Sequence, residues 1–241
     1  DGVELSPLVA ACDYKRLLDG DDGPNTGGMG SYSPPEFWSP QLSARIAEEI
    51  MIPTVKAMRE EGKPYQGVLY AGLMITEQGP RVLEFNCRFG DPEAQVILPL
   101  LKTDPLDALM ACVEGHINAP RIEWTDYASV GIVMASGGYP GEYAKGLPIS
   151  GLDGIDAGVL VFHAATSETS DGEGAQVITD GGRVLTVVGT DRTIEQARTK
   201  AYNNIARVHF PGAHYRRDIA QRAVPRMPDE SPAVQSRPVT R

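Results

Sequence analysis

The sequence predicts an α+β protein in two parts, a helix-bearing part over 1–120 and a small β-rich part over 126–222. Three observations predict it. Apolar residues recur at helical spacing over 40–61 and again beyond residue 92. Two apolar runs, 67–75 and 81–86, flank the turn Gln78-Gly79-Pro80 and read as a hairpin. Beyond residue 126, four short runs rich in β-branched residues follow one another, with glycine turns among them.

Composition narrows the function. The chain has 241 residues, 41% apolar and 22% charged, which suits a globular protein with a sizeable core. A net charge of −10 argues against nucleic acid as a partner, because phosphate backbones need clustered Lys and Arg. Three scattered cysteines without CxxC spacing indicate neither a zinc site nor a disulfide framework. With no membrane-length apolar run and no signal peptide, a cytoplasmic location is expected. The first residue is Asp, and a fragment of a longer protein is expected.

In chain order, residues 7–11 are apolar and read as a strand leading to Asp13-Tyr14-Lys15-Arg16. The glycine-rich segment 23–34 reads as one loop, with positive-φ positions and backbone N–H groups able to approach a ligand. It lacks the Lys-Ser/Thr of a Walker A loop. The helix over 40–61 should kink or break near Met51 because of Pro53, and Gly62 should end it. Asp91, Pro92 and Glu93 suit the cap and first turn of a helix running to Leu101. A second helix follows, with Leu106, Leu109, Met110 and Val113 as its core face. Residues 116–126 read as a boundary. Asp180-Gly181-Gly182 reads as a hairpin turn between strands 175–179 and 183–188. A helix opens with Thr193 or Asp191 as its cap and runs to about residue 208, and a disordered tail is expected over 223–241.

The chemistry concentrates in Glu84-Phe85-Asn86-Cys87-Arg88-Phe89-Gly90-Asp91-Pro92-Glu93-Ala94-Gln95. On a strand, Glu84 and Asn86 share a face, roughly 7 Å apart at about 3.3 Å per residue. A carboxylate and an amide oxygen on a rigid element suit Mg²⁺, which takes few protein oxygens and fills its shell with water and phosphate. If the strand continues, Arg88 joins the same face as a phosphate or carboxylate fork.

These twelve residues resemble the signature of the glycinamide ribonucleotide synthetase (phosphoribosylamine–glycine ligase) family of ATP-grasp enzymes. The segment Asp13-Tyr14-Lys15-Arg16 with Gly23-Pro24-Asn25-Thr26-Gly27-Gly28-Met29-Gly30 resembles a second family pattern. Ser136-Gly137-Gly138-Tyr139-Pro140-Gly141, Val161-Phe162-His163-Ala164, Gly181-Gly182-Arg183-Val184-Leu185 and the segment at Arg216-Arg217-Asp218 extend the likeness, which covers about 1–222. The resemblance implies the C-terminal part of an ATP-grasp domain followed by a small β-rich C-terminal domain. It implies ligation of glycine to 5-phosphoribosylamine through a glycyl phosphate, using ATP with Mg²⁺ or Mn²⁺, in purine biosynthesis.

The same resemblance assigns roles. Glu84 and Asn86 would hold the metal, and Arg88, Asp91 and Glu93 form the catalytic set. Asp13, Lys15, Arg16, Asn25, Thr26, Gly27 and Gly28 would bind substrate and phosphate. Many ATP-grasp enzymes carry a further acidic ligand on the preceding strand, and none lies between Val68 and Ile75. The full-length protein is expected to be a monomer, and this fragment, lacking the N-terminal half, to be inactive alone. Two other readings stay open: another ATP-grasp carboxylate–amine ligase, or a non-catalytic binding module.

Overall fold

The computed structural model describes residues 1–118, 121–169 and 175–224. Strands β1 (Cys12–Asp13), β2 (Arg16–Leu18), β3 (Asp22–Asn25) and β4 (Gly30–Ser33) precede helices α1 (Pro40–Ile46) and α2 (Ile52–Glu60). The hairpin β5 (Tyr70–Thr76) and β6 (Gly79–Asn86) comes next, followed by α3 (Ala94–Ile97) and α4 (Pro105–Glu114). The remainder is β7 (Ala128–Ala135), β8 (Val159–His163), β9 (Thr166–Thr169), β10 (Gln176–Thr179), β11 (Arg183–Asp191) and α5 (Ile194–Ile205).

An antiparallel sheet of order β1-β4-β7-β11-β8 forms the core. Its central strand β7 reads Ala-Ser-Val-Gly-Ile-Val-Met-Ala and is buried along its whole length, as a continuous apolar run covered on both faces requires. On one face α5 inserts Ala197, Ala201 and Ile205 among Val130, Ile132 and Val187. On the other, α3 brings Val96 and Ile97 against Val188. Gly131 lets Val96 approach, since a Cβ there would lie 2.8 Å from Val96 Cγ1. β1 and β4 bring residues of the first part into a sheet whose other three strands come from the second, so the division into 1–120 and 126–222 is kept as a proposal about chain segments. Ala119 and Pro120 of the expected boundary lie outside the described residues.

Several sequence expectations change. Residues 7–11 are not a strand: pairing starts at Cys12, and the Ala10 carbonyl instead accepts from Ser33 Oγ at 2.7 Å. The segment 23–34 is not one loop, because β3 pairs with β2 and β4 is a buried sheet strand. Of the kink or break expected near Met51, the structure shows no break: the helix stays continuous with an irregular turn at that point. It widens into a π turn at Ala47–Met51, just before Pro53, a geometry that avoids the clash of the proline ring with the preceding turn. Gly62, at φ 73, ends it: its N–H donates to the Arg59 carbonyl and Lys63 N–H to Met58.

The turn at 180–182 does not close a hairpin between β10 and β11. β10 pairs with β9, whereas β11 is occupied on both edges by β7 and β8. Ser136 Oγ donates to the Gly181 carbonyl at 2.7 Å and holds the turn over β7. The helix after Pro92 is short: α3 gives way to a 3₁₀ turn at Leu98–Leu100, where Pro99 supplies no N–H. The expected core face of α4 points outward, with Leu106 66% and Val113 69% exposed, while Ala111 and Cys112 are buried. Of the expected tail, Ala223 belongs to a 3₁₀ turn at Gln221–Ala223, and residues 225–241 lie outside the described residues. Among the described residues no helix is long and apolar enough to cross a membrane.

Candidate functional site

The hairpin β5–β6 pairs only with itself among the described strands and displays the acidic signature. Its turn holds because Gly79 takes φ 114 and Thr76 Oγ1 donates to the Gly79 carbonyl. The register shifts between Gly72 and Leu73, leaving one extra residue, Leu83, on β6. Such a bulge re-aims the side chain beside it, and here that side chain is Glu84. Glu84 and Asn86 share a face as alternation requires, with Asn86 Nδ2 3.2 Å from Glu84 Oε1.

A cavity of about 690 Å³ lies against this hairpin, with Glu84, Glu93, Tyr70, Asp13 and Lys15 among its polar lining and Trp38 among its apolar walls. Lys15 Nζ lies 2.7 Å from Asp13 Oδ2. Burial would lower the Lys15 pKa, yet the Asp13 carboxylate and the charges of Glu93 and Glu84 raise it. Glu93 is the buried member, 6% exposed, and accepts from the Tyr70 hydroxyl at 2.9 Å. Burial and the neighbouring Asp13 push its carboxyl above the usual range, against the Tyr70 hydrogen bond and Lys15.

The remaining candidates sit elsewhere. Arg88 does not join the Glu84 face: the strand ends at Asn86, and Arg88 Nη1 donates to the adjacent Phe89 carbonyl at 2.9 Å. Asp91 does not cap a helix. Its carboxylate accepts from Arg183 Nη2 at 2.7 Å and from Gln95 Nε2 at 3.0 Å, so α3 starts at Ala94. Arg16 donates to the Gly23 carbonyl at 2.6 Å, and Asn25 is paired with Arg16 in β3. Thr26 N–H and Oγ1 both donate to the Lys15 carbonyl, at 2.7 and 2.8 Å. The N–H groups expected to face a ligand are already engaged, Gly27 with Tyr139 Oη at 3.0 Å and Gly28 with Thr26 Oγ1 at 3.0 Å.

Sequence reasoning missed Tyr70, Tyr139 and Arg183. Tyr70 had a usable signal, since the hairpin register places it opposite Asn86. Arg183 and Tyr139 stood only inside motifs of the family resemblance, and no spacing rule links them to partners about 90 to 160 residues away in sequence.

The model for "Phosphoribosylglycinamide synthetase, ATP-grasp (A) domain" matches residues 1–94, and that for the C domain of the same synthetase matches 129–222. The chain belongs to the phosphoribosylglycinamide synthetase family. It is 50% identical over 226 residues to the trifunctional purine biosynthetic protein adenosine-3 of Gallus gallus, covering 93% of this chain and 22% of that one. It is 48% identical over 225 residues to the phosphoribosylamine–glycine ligase of Nostoc sp., covering 92% and 52%. The crystal structure of the Thermotoga maritima phosphoribosylamine–glycine ligase superposes with a TM-score of 0.76 at 40% identity, covering 87% of this chain and 51% of that one. The chain thus spans about half the length of these ligases and a smaller share of the trifunctional relative. The family's ATP-grasp part includes Glu84, Asn86 and the glycine loop, and its C domain includes Arg183 and Tyr139.

Proposed function

We propose that the polypeptide carrying this chain is a phosphoribosylamine–glycine ligase, joining glycine to 5-phosphoribosylamine with ATP to give glycinamide ribonucleotide, ADP and phosphate. The observation that carries this reading is the cavity where Glu84, Glu93 and the Asp13–Lys15 pair converge, in a chain matched by both family domains. Activation of glycine as an acyl phosphate requires that like-charged carboxylate and phosphate be brought together and water kept from the product. Lys15, held fully charged by its acidic neighbours, supplies compensating charge. Arg88 has no carboxylate partner among the described residues and is the candidate clamp for the transferring phosphoryl group. The apolar walls around Trp38 limit water. Glu93, a buried carboxylate whose pKa burial and Asp13 raise, is the candidate group to accept a proton from the incoming amine.

Among the described residues no three His, Cys, Asp or Glu side chains cluster as a metal cage. Glu84 and Asn86 instead offer two hard oxygen donors on one strand face, a set that fits Mg²⁺ completed by water and phosphate. When bound, the ion would neutralise ATP phosphate charge at these two residues, with Mn²⁺ as the other candidate. A monomeric enzyme of the cytoplasm remains part of this proposal.

The test is ADP release by the protein expressed from its complete gene, with ATP, Mg²⁺, glycine and fresh phosphoribosylamine. Glycine-dependent release that falls by about 100-fold or more in Glu84→Ala supports the ligase, since metal charge stabilisation supplies several kcal/mol at about 1.4 kcal/mol per tenfold. Release independent of glycine points to another ATP-grasp ligase. A folded protein without release selects the binding module.

A further inference from the structure

Arg183 stands at the first position of β11, a strand hydrogen-bonded on both edges and therefore a stiff base. Its guanidinium reaches two segments of the ATP-grasp part at once. Nη1 donates to the Gly27 carbonyl at 2.9 Å and to the Asp91 carbonyl at 2.9 Å, while Nη2 donates to Asp91 Oδ2 at 2.7 Å. Gly27 also donates to Tyr139 Oη, so two C-domain side chains grip one glycine. A Cβ at Gly27 would lie 3.0 Å from Arg183 Cζ, so glycine is what lets the guanidinium close on this backbone. The gripped segments also hold each other: Ser31 Oγ donates to the Pro92 carbonyl at 2.8 Å.

Each segment leads directly into the cavity. Beyond Gly27, Thr26 binds the Lys15 carbonyl through two hydrogen bonds. Beyond Asp91 and Pro92 comes Glu93, buried against Tyr70. Lys15 and Glu93 therefore sit on two arms joined through one side chain of the C domain.

We propose that Arg183 is a positioning residue for the cavity, its guanidinium fixing the Glu93 carboxyl and the Lys15 backbone relative to each other; for its activity readout this rests on the ligase reading. A planar fork with several donors can satisfy two carbonyls and a carboxylate together, whereas a lysine ammonium at that reach cannot match the directions. Sub-ångström placement matters, because a shift near 1 Å at a reacting group costs on the order of 100-fold in rate.

The experiment uses the protein expressed from its complete gene, as wild type, Arg183→Ala, Arg183→Lys and Asp91→Asn. Amide hydrogen exchange is followed in peptides spanning 23–30 and 89–97, and glycine-dependent ADP release is measured on the same samples. In Arg183→Ala both peptides should exchange faster while peptides from β7 do not, and kcat should fall by about 10- to 100-fold with a smaller change in the KM for ATP. Added guanidinium ion should restore part of the lost kcat in Arg183→Ala, and Arg183→Lys should restore less than the arginine it replaces. A kcat within about twofold of wild type, or faster exchange confined to one of the two peptides, overturns the proposal. Should Arg183→Ala fail to fold, Asp91→Asn decides, since it keeps the side-chain size, removes the charge and leaves one oxygen to serve both Arg183 and Gln95; unchanged kcat there overturns it too. A wild type without glycine-dependent release sinks the ligase reading, and the exchange measurements then decide the clamp by themselves.

Discussion

Tyr70 and Glu93 are joined by a 2.9 Å hydrogen bond from phenol to carboxylate, linking β5 to the turn that enters α3. Tyr70 is also the cross-strand partner of Asn86. One tyrosine thus touches the acidic hairpin and the buried carboxyl together.

The first prediction follows from Glu93. Burial, then the Asp13 charge, raises its pKa over the ordinary value, so the folded protein binds this proton more tightly than the unfolded chain. The associated stability is fully present below the unfolded value of about 4.3 and is lost as pH rises through the folded one. Glu93→Gln keeps an oxygen for the Tyr70 hydroxyl and removes that loss. The variant should be more stable than wild type at neutral pH, with the gain vanishing below about pH 4, as read by urea titrations at both pH values.

Asp218 behaves in the opposite sense. Burial acts to raise it, but hydrogen bonds from Arg216 and the Gly20 N–H outweigh this and hold its pKa at about 2. Its contribution is present above the unfolded value near 3.9 and lost as pH falls through about 2. Asp218→Asn should therefore destabilise the protein at pH 7 and flatten the acid limb of its thermal-melt profile between about pH 4 and pH 2.

Arg216 has a fully buried side chain held by Asp218 at 2.6 Å and Asp21 at 2.9 Å, over the Tyr14 ring. Removing the buried guanidinium leaves the shielded Asp218 carboxylate uncompensated, while Asp21 is exposed to solvent. Arg216→Met should lose about 3 kcal/mol in denaturant unfolding. A loss under about 1 kcal/mol would mean that solvent already screens the set.

Asn86→Asp tests the metal face without removing a ligand. A second carboxylate beside Glu84 repels it in the metal-free protein and attracts a divalent cation. The melting temperature without Mg²⁺ should fall, and the rise on adding Mg²⁺ should exceed that of wild type. Equal Mg²⁺ responses in both proteins would place the ion elsewhere.

Local physics was legible in the sequence, and long-range pairing was not. The β5–β6 hairpin, the shared face of Glu84 and Asn86, the buried strand β7 and the Thr193 cap of α5, which accepts from Gln196 N–H at 3.2 Å, follow from alternation, turn chemistry and capping. The hairpin expected at 180–182 failed because turn residues do not say which strand edge is already taken. The face of α4 was apolar as read, but apolar spacing does not tell whether a neighbour covers it. Asp91 carried every mark of a helix cap, and Arg183, from another part of the chain, claimed its carboxylate first.

The sheet order β1-β4-β7-β11-β8 also constrains the sequence of events during synthesis. The acidic hairpin needs only residues 70–86 to pair, so it can close while translation is still under way. The opposite wall cannot, because β4 waits for β7 and the Gly27 loop waits for Arg183, about 150 residues later. A ribosome-bound chain stopped before residue 183 would hold Glu84 in place and Lys15 adrift, and the nascent protein would gain the assembled cavity only as its last sheet strand leaves the exit tunnel.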